Sequence, residues 1–422
     1  MSNRLLTPGR STQLRQRHGC LVDQCTSHHK GVNAMKKRYS IAAPIALAGL
    51  VLSGCSASVE PSTETGAAGA GCDTVDASIQ AILDGEALSE GVNGETPVAA
   101  STIPDLTDEQ VAEIRALDAT AALVIQLGGN DWSNAQIAGV TEELDRLGIE
   151  LVATTDAQGD AVKQVDDIET VLALEPDLVL AIPLDPVATA PSFRQVGEQG
   201  AKLVFIDNPA VGLEPGVDYV SYVSADNYAN GAIGAHLAAR GIDCVGEVGS
   251  IRYTDEQNIA VYQRYQGFVE TIAANYPDIE VVADRDIGAP DFAGNAERTA
   301  SAMLTQYPDL KAIWGFFDIP AEGIIQAAKA AGRSDLVVTT ADLGLNIGVA
   351  IASGELAYGT GSQRPFDQGV MEARLGAGAL IGLDAPPYVV LPALAVDQDN
   401  VLEAWTEVYR VEPPQELVDA AQ

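Results

Sequence analysis

From Ala119 onward the chain alternates short apolar runs with amphipathic stretches, and this alternation restricts the fold more than any other feature. Ala121–Gln126 is an apolar run followed by a Gly-Gly loop, after which Ser133 is placed to cap a helix with Ile137, Val140, Leu144 and Leu147 on one face. Glu150–Thr155 then reads as a strand, Val162–Leu174 as a helix and Asp177–Ile182 as a strand, with a further helix leading to the strand Lys202–Ile206. The pattern restarts after Asp226 with a helix over Tyr228–Ala239. Strand-like runs follow at Val245–Ser250, Glu280–Ala283, Ala312–Phe316, Leu336–Thr340 and Ala357–Gly361. Strands that are apolar at every position, not every second one, are covered on both faces, which is the property of parallel sheets in α/β proteins. Roughly 300 residues of such alternation exceed what one core comfortably supports. The expected fold is therefore α/β, with two doubly wound parallel-sheet lobes.

Ahead of this region, Lys36, Lys37 and Arg38 precede an apolar run from Ile41 to Leu52 that ends in Leu52-Ser-Gly-Cys55. These are the three regions of an export signal, and the run is too short to anchor stably across a bilayer. The Leu-Ser-Gly-Cys ending resembles the lipobox of bacterial lipoproteins, which implies that Cys55 is acylated and becomes the first residue of the mature chain. Residues 35–54 are then a lipoprotein signal peptide. Residues 1–34, basic and without apolar periodicity, are expected to be either a mis-assigned start upstream of Met35 or a long leading region cleaved with the signal. Ser56–Gly71 is rich in Ser, Thr, Gly, Ala and Pro and reads as part of a flexible tether over 55–71. Residues 72–118 read as an acidic, weakly ordered extension, in which Thr107 and Gln110 form a capping box at the start of one helix.

Charge narrows the partners. The chain has 24 basic and 59 acidic residues; the first 54 hold eight of the former and one of the latter, so the remainder carries a net charge of −42. Such a surface excludes nucleic-acid binding through phosphates, which needs clustered Lys and Arg. It is also repelled by anionic lipid, so membrane contact is expected through the lipid alone. Cys72 and Cys244 are the cysteines left beyond Cys55, and outside the cytoplasm they can pair, although spacing alone does not decide whether they do.

In open α/β sheets, ligands bind beyond the carboxyl ends of the strands. Those positions hold Gln126, Asn130, Asp131 and Trp132 after the first strand, Asp185 after the third, and Asp207 and Asn208 after the fourth. The second half places Phe317 and Asp318, then Asp342, then Gln363 and Arg364 at equivalent points. Any one Asp or Asn here could be a turn or helix cap. The recurrence of amides and carboxylates beside aromatic rings in both halves points instead to a neutral polyhydroxyl ligand, whose hydroxyls pair with amides and carboxylates and whose C–H face lies on a ring. Enzymatic readings lack material. His236 is the one histidine beyond the signal and sits mid-helix, and there is no nucleophile elbow, phosphate loop or Cys/His cluster. No cofactor and no metal is expected.

Residues from about Ala119 to Val408 resemble the type I periplasmic sugar-binding proteins of bacterial ABC importers, the ribose-binding group. The resemblance is carried by the stretches 121–132, 204–208, 223–227, 263–268 (Gln-Arg-Tyr-Gln-Gly-Phe), 303–314 and 363–369, in shared order and spacing. It implies a sugar held between two lobes joined by a three-strand hinge, with lobe 1 formed by 119–225 plus 364–392 and lobe 2 by 226–363 plus 393–412. Asn130 and Trp132 match the first-loop amide and stacking ring of that group, Gln126 a preceding polar contact, and Asp207 the carboxylate ending the fourth strand. Asp342 and Gln363 match the second-lobe acid and hinge-side amide, and Phe292 supplies the second ring. Departures from the group are Asn208 and Tyr262 where arginines are usual, Ile182 for a polar residue and Phe317 for an asparagine. They imply a site with two fewer cations and more apolar surface, and a ligand other than ribose: another pentose, a deoxysugar or a sugar alcohol. The expected protein is a monomeric, non-enzymatic, lipid-anchored receptor at the outer face of the cell membrane or in the periplasm, handing its ligand to an ABC permease. Within the same fold, a receptor feeding a chemotaxis or sensor-kinase pathway is the alternative. A carbohydrate-active hydrolase or a repressor fits less well, the latter for want of a basic helix-turn-helix.

Overall fold

The computed structural model describes residues 72–422. The expectations placed on 1–34, on the signal 35–54, on Cys55 and on the tether 55–71 lie outside the described residues. Thirteen strands are described: β1 (Val98–Ala99), β2 (Thr120–Ile125), β3 (Glu150–Asp156), β4 (Leu178–Ala181), β5 (Lys202–Ile206), β6 (Ser221–Ala225), β7 (Gly246–Tyr253), β8 (Ile279–Ile287), β9 (Leu310–Gly315), β10 (Val337–Ala341), β11 (Ala357–Ser362), β12 (Tyr388–Leu391) and β13 (Leu394–Asp397). They form a seven-stranded sheet in the order β1-β12-β6-β5-β4-β2-β3 and a six-stranded sheet in the order β13-β11-β10-β9-β7-β8. The pairings are parallel except that of β11 with β13. This is the two-lobed α/β architecture that the alternation demands.

The continuous apolar runs are explained by coverage on both faces. β4 and β12 are buried at every residue and β2 at all but its first. In the first lobe, Leu123, Leu180, Val204 and Val389 pack on one side of the sheet, and Val124, Val179, Phe205 and Tyr388 on the other. The second lobe has one large core around Trp314, Phe268, Ile324 and Ile351. The chain crosses between sheets three times: between β6 and the helix Asn227–Gly241, between β11 and the helix Pro365–Leu380, and between β12 and β13.

Two local readings need correction. The first helix of lobe 1 spans Asp131–Leu147 and is capped by Asn130, whose side chain accepts from the Ser133 N–H; Ser133 is the reciprocal partner in the box, not the cap. The segment 72–118 is ordered, not loosely attached. Cys72 and Cys244 are disulfide-bonded, with Cα atoms 5.6 Å apart. The helix Val75–Leu83 buries Val75 and Ile79 in the lobe 2 core, and Asp76 pairs with Arg240 at 2.8 Å. The Leu88 and Ser89 N–H groups then donate to Asp226 at the first crossover (2.8 and 3.0 Å). Farther on, β1 extends the lobe 1 sheet beside β12, and the helix Asp108–Arg115, which carries the expected Thr107–Gln110 capping box, buries Ile114 in lobe 1. The pattern of this segment hides its order because each element buries only one or two apolar residues.

His236 is buried on the helix Asn227–Gly241, where its Nδ1 meets the Tyr276 hydroxyl at 2.5 Å. Burial pulls its pKa down to about 4 from 6.5. The unfolded state therefore binds more protons between those values, and stability, full above pH 6.5, falls as the pH drops towards 4. Urea unfolding of the wild type at pH 7 and pH 5 is expected to show a loss of about 2 kcal/mol from this group. The difference between the two pH values should shrink by that amount in His236→Gln.

Candidate functional site

The carboxyl ends of strands from both sheets converge on one cavity between the lobes. It is lined from lobe 1 by Gln126, Leu127, Asn130, Trp132, Ile182, Leu184, Asp207 and Asn208. Lobe 2 and the hinge contribute Tyr253, Asn258, Ala260, Val261, Arg264, Phe292, Phe316, Phe317, Asp318, Asp342 and Gln363. Its volume of about 90 Å³ is several times the roughly 10–15 Å³ that one water centre requires. That is room for a small solute.

Ten of the twelve residues expected at a ligand site line this cavity: Gln126, Asn130, Trp132, Asp207, Asn208, Phe292, Phe317, Asp318, Asp342 and Gln363. Two do not. Asp185 turns back on its own loop, its Oδ1 accepting from the Val187 and Ala188 N–H groups at 3.0 and 2.8 Å, so the turn reading holds there. Tyr262 faces a separate outer groove with Pro209, Leu213 and Ile259. Arg364 also points elsewhere, pairing with Glu407.

The cation that the sequence reading missed is Arg264. It lies on the helix Ile259–Asn275, two residues beyond Tyr262, and is buried. Its Nη1 donates to Asp342 Oδ2 at 3.0 Å and to the Phe316 carbonyl at 3.2 Å, its Nε donates to Asn227 Oδ1 at 2.7 Å, and its Nη2 lies 4.0 Å from Asp207 Oδ2. The cavity is thus not stripped of cations, as the two substitutions suggested. It holds one, committed to a carboxylate from each lobe.

Those two carboxylates are built alike. Asp207 ends β5 and Asp342 ends β10, and both take left-handed backbone angles, with φ of 56° and 70°. That region is uncommon outside glycine and is tolerated best by Asp and Asn. Burial pushes the Asp207 pKa up, against the pull of the Arg264 charge and of hydrogen bonds from Gln368 and Ser224. Asp318 is pushed well above the usual carboxylate range by burial, with the Asp342 charge adding to it. Behind Asp207, Glu372 is fully buried beside Gln136, and burial, with the Asp207 charge adding to it, pushes its pKa well above the usual carboxylate range.

Four cavity-lining side chains present buried polar atoms with no protein partner: the acceptors Gln126 Oε1, Asn258 Oδ1 and Gln363 Oε1, and the donor Trp132 Nε1–H. Buried polar groups are otherwise nearly always paired. Opposite them, Tyr253, Phe292, Phe316 and Phe317 form one aromatic wall, with ring centroids 4.8–6.0 Å apart. The cavity therefore offers directed hydrogen bonds and apolar faces together, and has one cation whose Nε and Nη1 are hydrogen-bonded to the protein while its Nη2 comes no closer than 4.0 Å to Asp207. Among the described residues, no group of three or more His, Cys, Asp or Glu is placed to hold a metal ion.

A family profile described as a periplasmic binding protein domain matches residues 121–383. The chain belongs to the periplasmic binding protein family. The ribose import binding protein of Escherichia coli is 26% identical over 242 residues, which cover 56% of this chain and 77% of that protein. An ABC transporter solute-binding protein from Agrobacterium vitis, bound with α-D-tagatopyranose, superposes with a TM-score of 0.63 at 21% identity, covering 70% of this chain and 99% of its own. Another from the same organism, with bound allitol, gives 0.60 at 23% identity, covering 68% and 97%. In this periplasmic binding protein, residues 72–118 precede the matched region and are additional to it.

Removing the Arg264 guanidinium leaves Asp207 and Asp342 buried without a compensating charge. Arg264→Met is expected to lower unfolding stability by roughly 3–5 kcal/mol at pH 7. Without the cation the folded-state pKa of Asp207, already raised by burial, rises further above its unfolded value, so part of the loss should return as the pH is lowered to 5. Urea denaturation at the two pH values measures both effects.

Proposed function

We propose that this chain is the solute receptor of an ABC importer that captures a neutral sugar or sugar alcohol between its two lobes and delivers it to a permease. The observation that carries this reading is the set of unpartnered polar atoms on Gln126, Trp132, Asn258 and Gln363 in a small cavity that also carries an aromatic wall. Hydroxyl groups both donate and accept, so a polyol can satisfy three carbonyl oxygens and an indole N–H at once. Its C–H faces fit against Phe292, Phe317 and Trp132. An anionic solute fits poorly, because three carboxyls line the cavity against a single cation, Arg264. The relatives bear on the ligand class: one is named for ribose import, and two solved relatives hold a ketohexose and a hexitol. The family consists of solute-binding components of transporters, not enzymes.

The same reading assigns Cys55 as a lipid-modified anchor that keeps the receptor outside the cell and beside its permease. It is supported by the basic, apolar and Leu-Ser-Gly-Cys succession at 36–55 and by the exported character of the family. Among the described residues no helix is long and apolar enough to cross a membrane.

A thermal-shift screen of the mature chain against pentoses, hexoses, deoxysugars and polyols is the direct test. A ligand at 100 times its Kd adds about 2.7 kcal/mol of stability, and at least one compound should raise Tm accordingly. Trp132→Ala should weaken that compound at least tenfold while leaving the ligand-free Tm within a degree or so of wild type. A panel in which nothing shifts Tm would remove the carbohydrate assignment. For the anchor, incorporation of a labelled fatty acid should be present in the wild type and lost in Cys55→Ala; label persisting in the variant would refute it.

A further inference from the structure

Helices whose N-termini face a cleft normally satisfy their first N–H groups with their own N-cap side chain. Several helices here do so: Asn130, Asp160, Asp226 and Asp291 each cap the helix they precede. Among the lobe 2 helices that do not, two meet the other lobe. Asn258, before the helix Ile259–Asn275, makes no cap hydrogen bond and leaves its Oδ1 towards the cavity. Gly344, before the helix Leu345–Ala352, has no side chain to cap with, and a Cβ at that position would lie 2.2 Å from Asp318 Oδ2.

Both helices are capped from the opposite lobe. Asn208, at the end of β5, accepts from the Ala260 N–H at 2.9 Å. Asp131, at the start of the lobe 1 helix Asp131–Leu147, accepts from the Leu345 N–H at 2.7 Å. Each bond joins a residue of one lobe to a residue of the other, and each places an oxygen on the positive end of a helix, where it is favoured. Asp131 does not line the cavity.

We propose that Asp131 and Asn208 are positioning residues that latch the closed state, and that Asp131, which stands outside the cavity, sets how long a solute is retained without determining which solute it is. The ligand part of this inference rests on the reading above. Opening the lobes breaks both bonds and exposes two helix termini that have no cap of their own. The latch therefore contributes to the closed state alone, and its loss appears in the dissociation rate.

The test uses the full mature chain with Asp131→Ala and Asp131→Asn. For Asp131→Ala, stopped-flow measurements should show koff and Kd raised about five- to tenfold, the scale of a lost cap, with kon unchanged. The factor should be the same for every sugar or polyol in the panel that binds. Asp131→Asn, which keeps an acceptor oxygen, should stay within about twofold of wild type. A factor that differs between ligands, or an unchanged koff, overturns the latch. Paired spin labels, one on each lobe, supply a readout independent of the ligand: in the ligand-free chain, Asp131→Ala must deplete the short inter-lobe distances that the wild type shows. Were no sugar or polyol to bind the wild type, the sugar reading would fall while this measurement still decided the latch. A wild type without the short-distance population, or a variant that retains it, overturns it.

Discussion

A single buried guanidinium organises the interior between the lobes. Arg264 reaches from the helix Ile259–Asn275 to Asp342 in its own lobe and towards Asp207 in the other, and also donates to Asn227 and the Phe316 carbonyl. Three carboxyl groups line a small cavity, and burial disfavours the charged forms of Asp207 and Asp318. One cation lies between Asp207 and Asp342, while burial pushes the pKa of Asp318 and, farther back, of Glu372 well above the usual carboxylate range. The left-handed backbone at Asp207 and Asp342 aims the two carboxylates at that cation from the ends of corresponding strands. Much of the polar lining, from Gln363 on Asp342 to Gln368 on Asp207, is arranged around those two acids.

This arrangement divides labour among the polar residues. Those bonded to Arg264 or to one another form a fixed frame, and those with unpaired atoms face the solute. Asn208 belongs partly to the frame, because its oxygen is occupied by the Ala260 N–H. Its place in the cavity wall is therefore compatible with a role in closure as well as in contact. The segment 72–118 adds a further constraint outside the family's shared region. It is covalently bound to lobe 2 at Cys244, hydrogen-bonded to the crossover at Asp226, and continuous with the lobe 1 sheet through β1. Residues 72–118 thus form a strap that contacts both lobes.

The strand ends were legible because doubly wound sheets direct every carboxyl end to the same side, so position along the chain converts into position around the cavity. That logic located Gln126, Asp207, Asp342 and Gln363 without a structure. It failed at Asp185, where the same residue type serves its own turn, since a carboxylate after a strand satisfies backbone donors and ligands equally well. It also failed on the helix Ile259–Asn275. Tyr262 and Arg264 are two positions apart, about 200° around a helix, so only one of them can face the cavity, and pattern alone did not say which. A lone arginine amid apolar helix neighbours was the available signal for a buried ion pair. The disulfide stayed open for a similar reason: residues 172 apart in sequence come together only if both ends of the intervening lobe are known.

What the amino-acid sequence determined by itself was whatever depends on local periodicity. The apolar runs, their helical partners, the Thr107–Gln110 box and the basic-to-apolar leader ending at Cys55 are all written over a few consecutive residues. What the tertiary structure decided was pairing between distant residues: Arg264 with two acids, Cys72 with Cys244, Asp131 with Leu345, and β1 with β12. Local propensity is fixed by neighbours a few residues away. The partner of a buried charge or an uncapped helix end is selected instead by which atoms the packed lobes bring within about 3 Å of it.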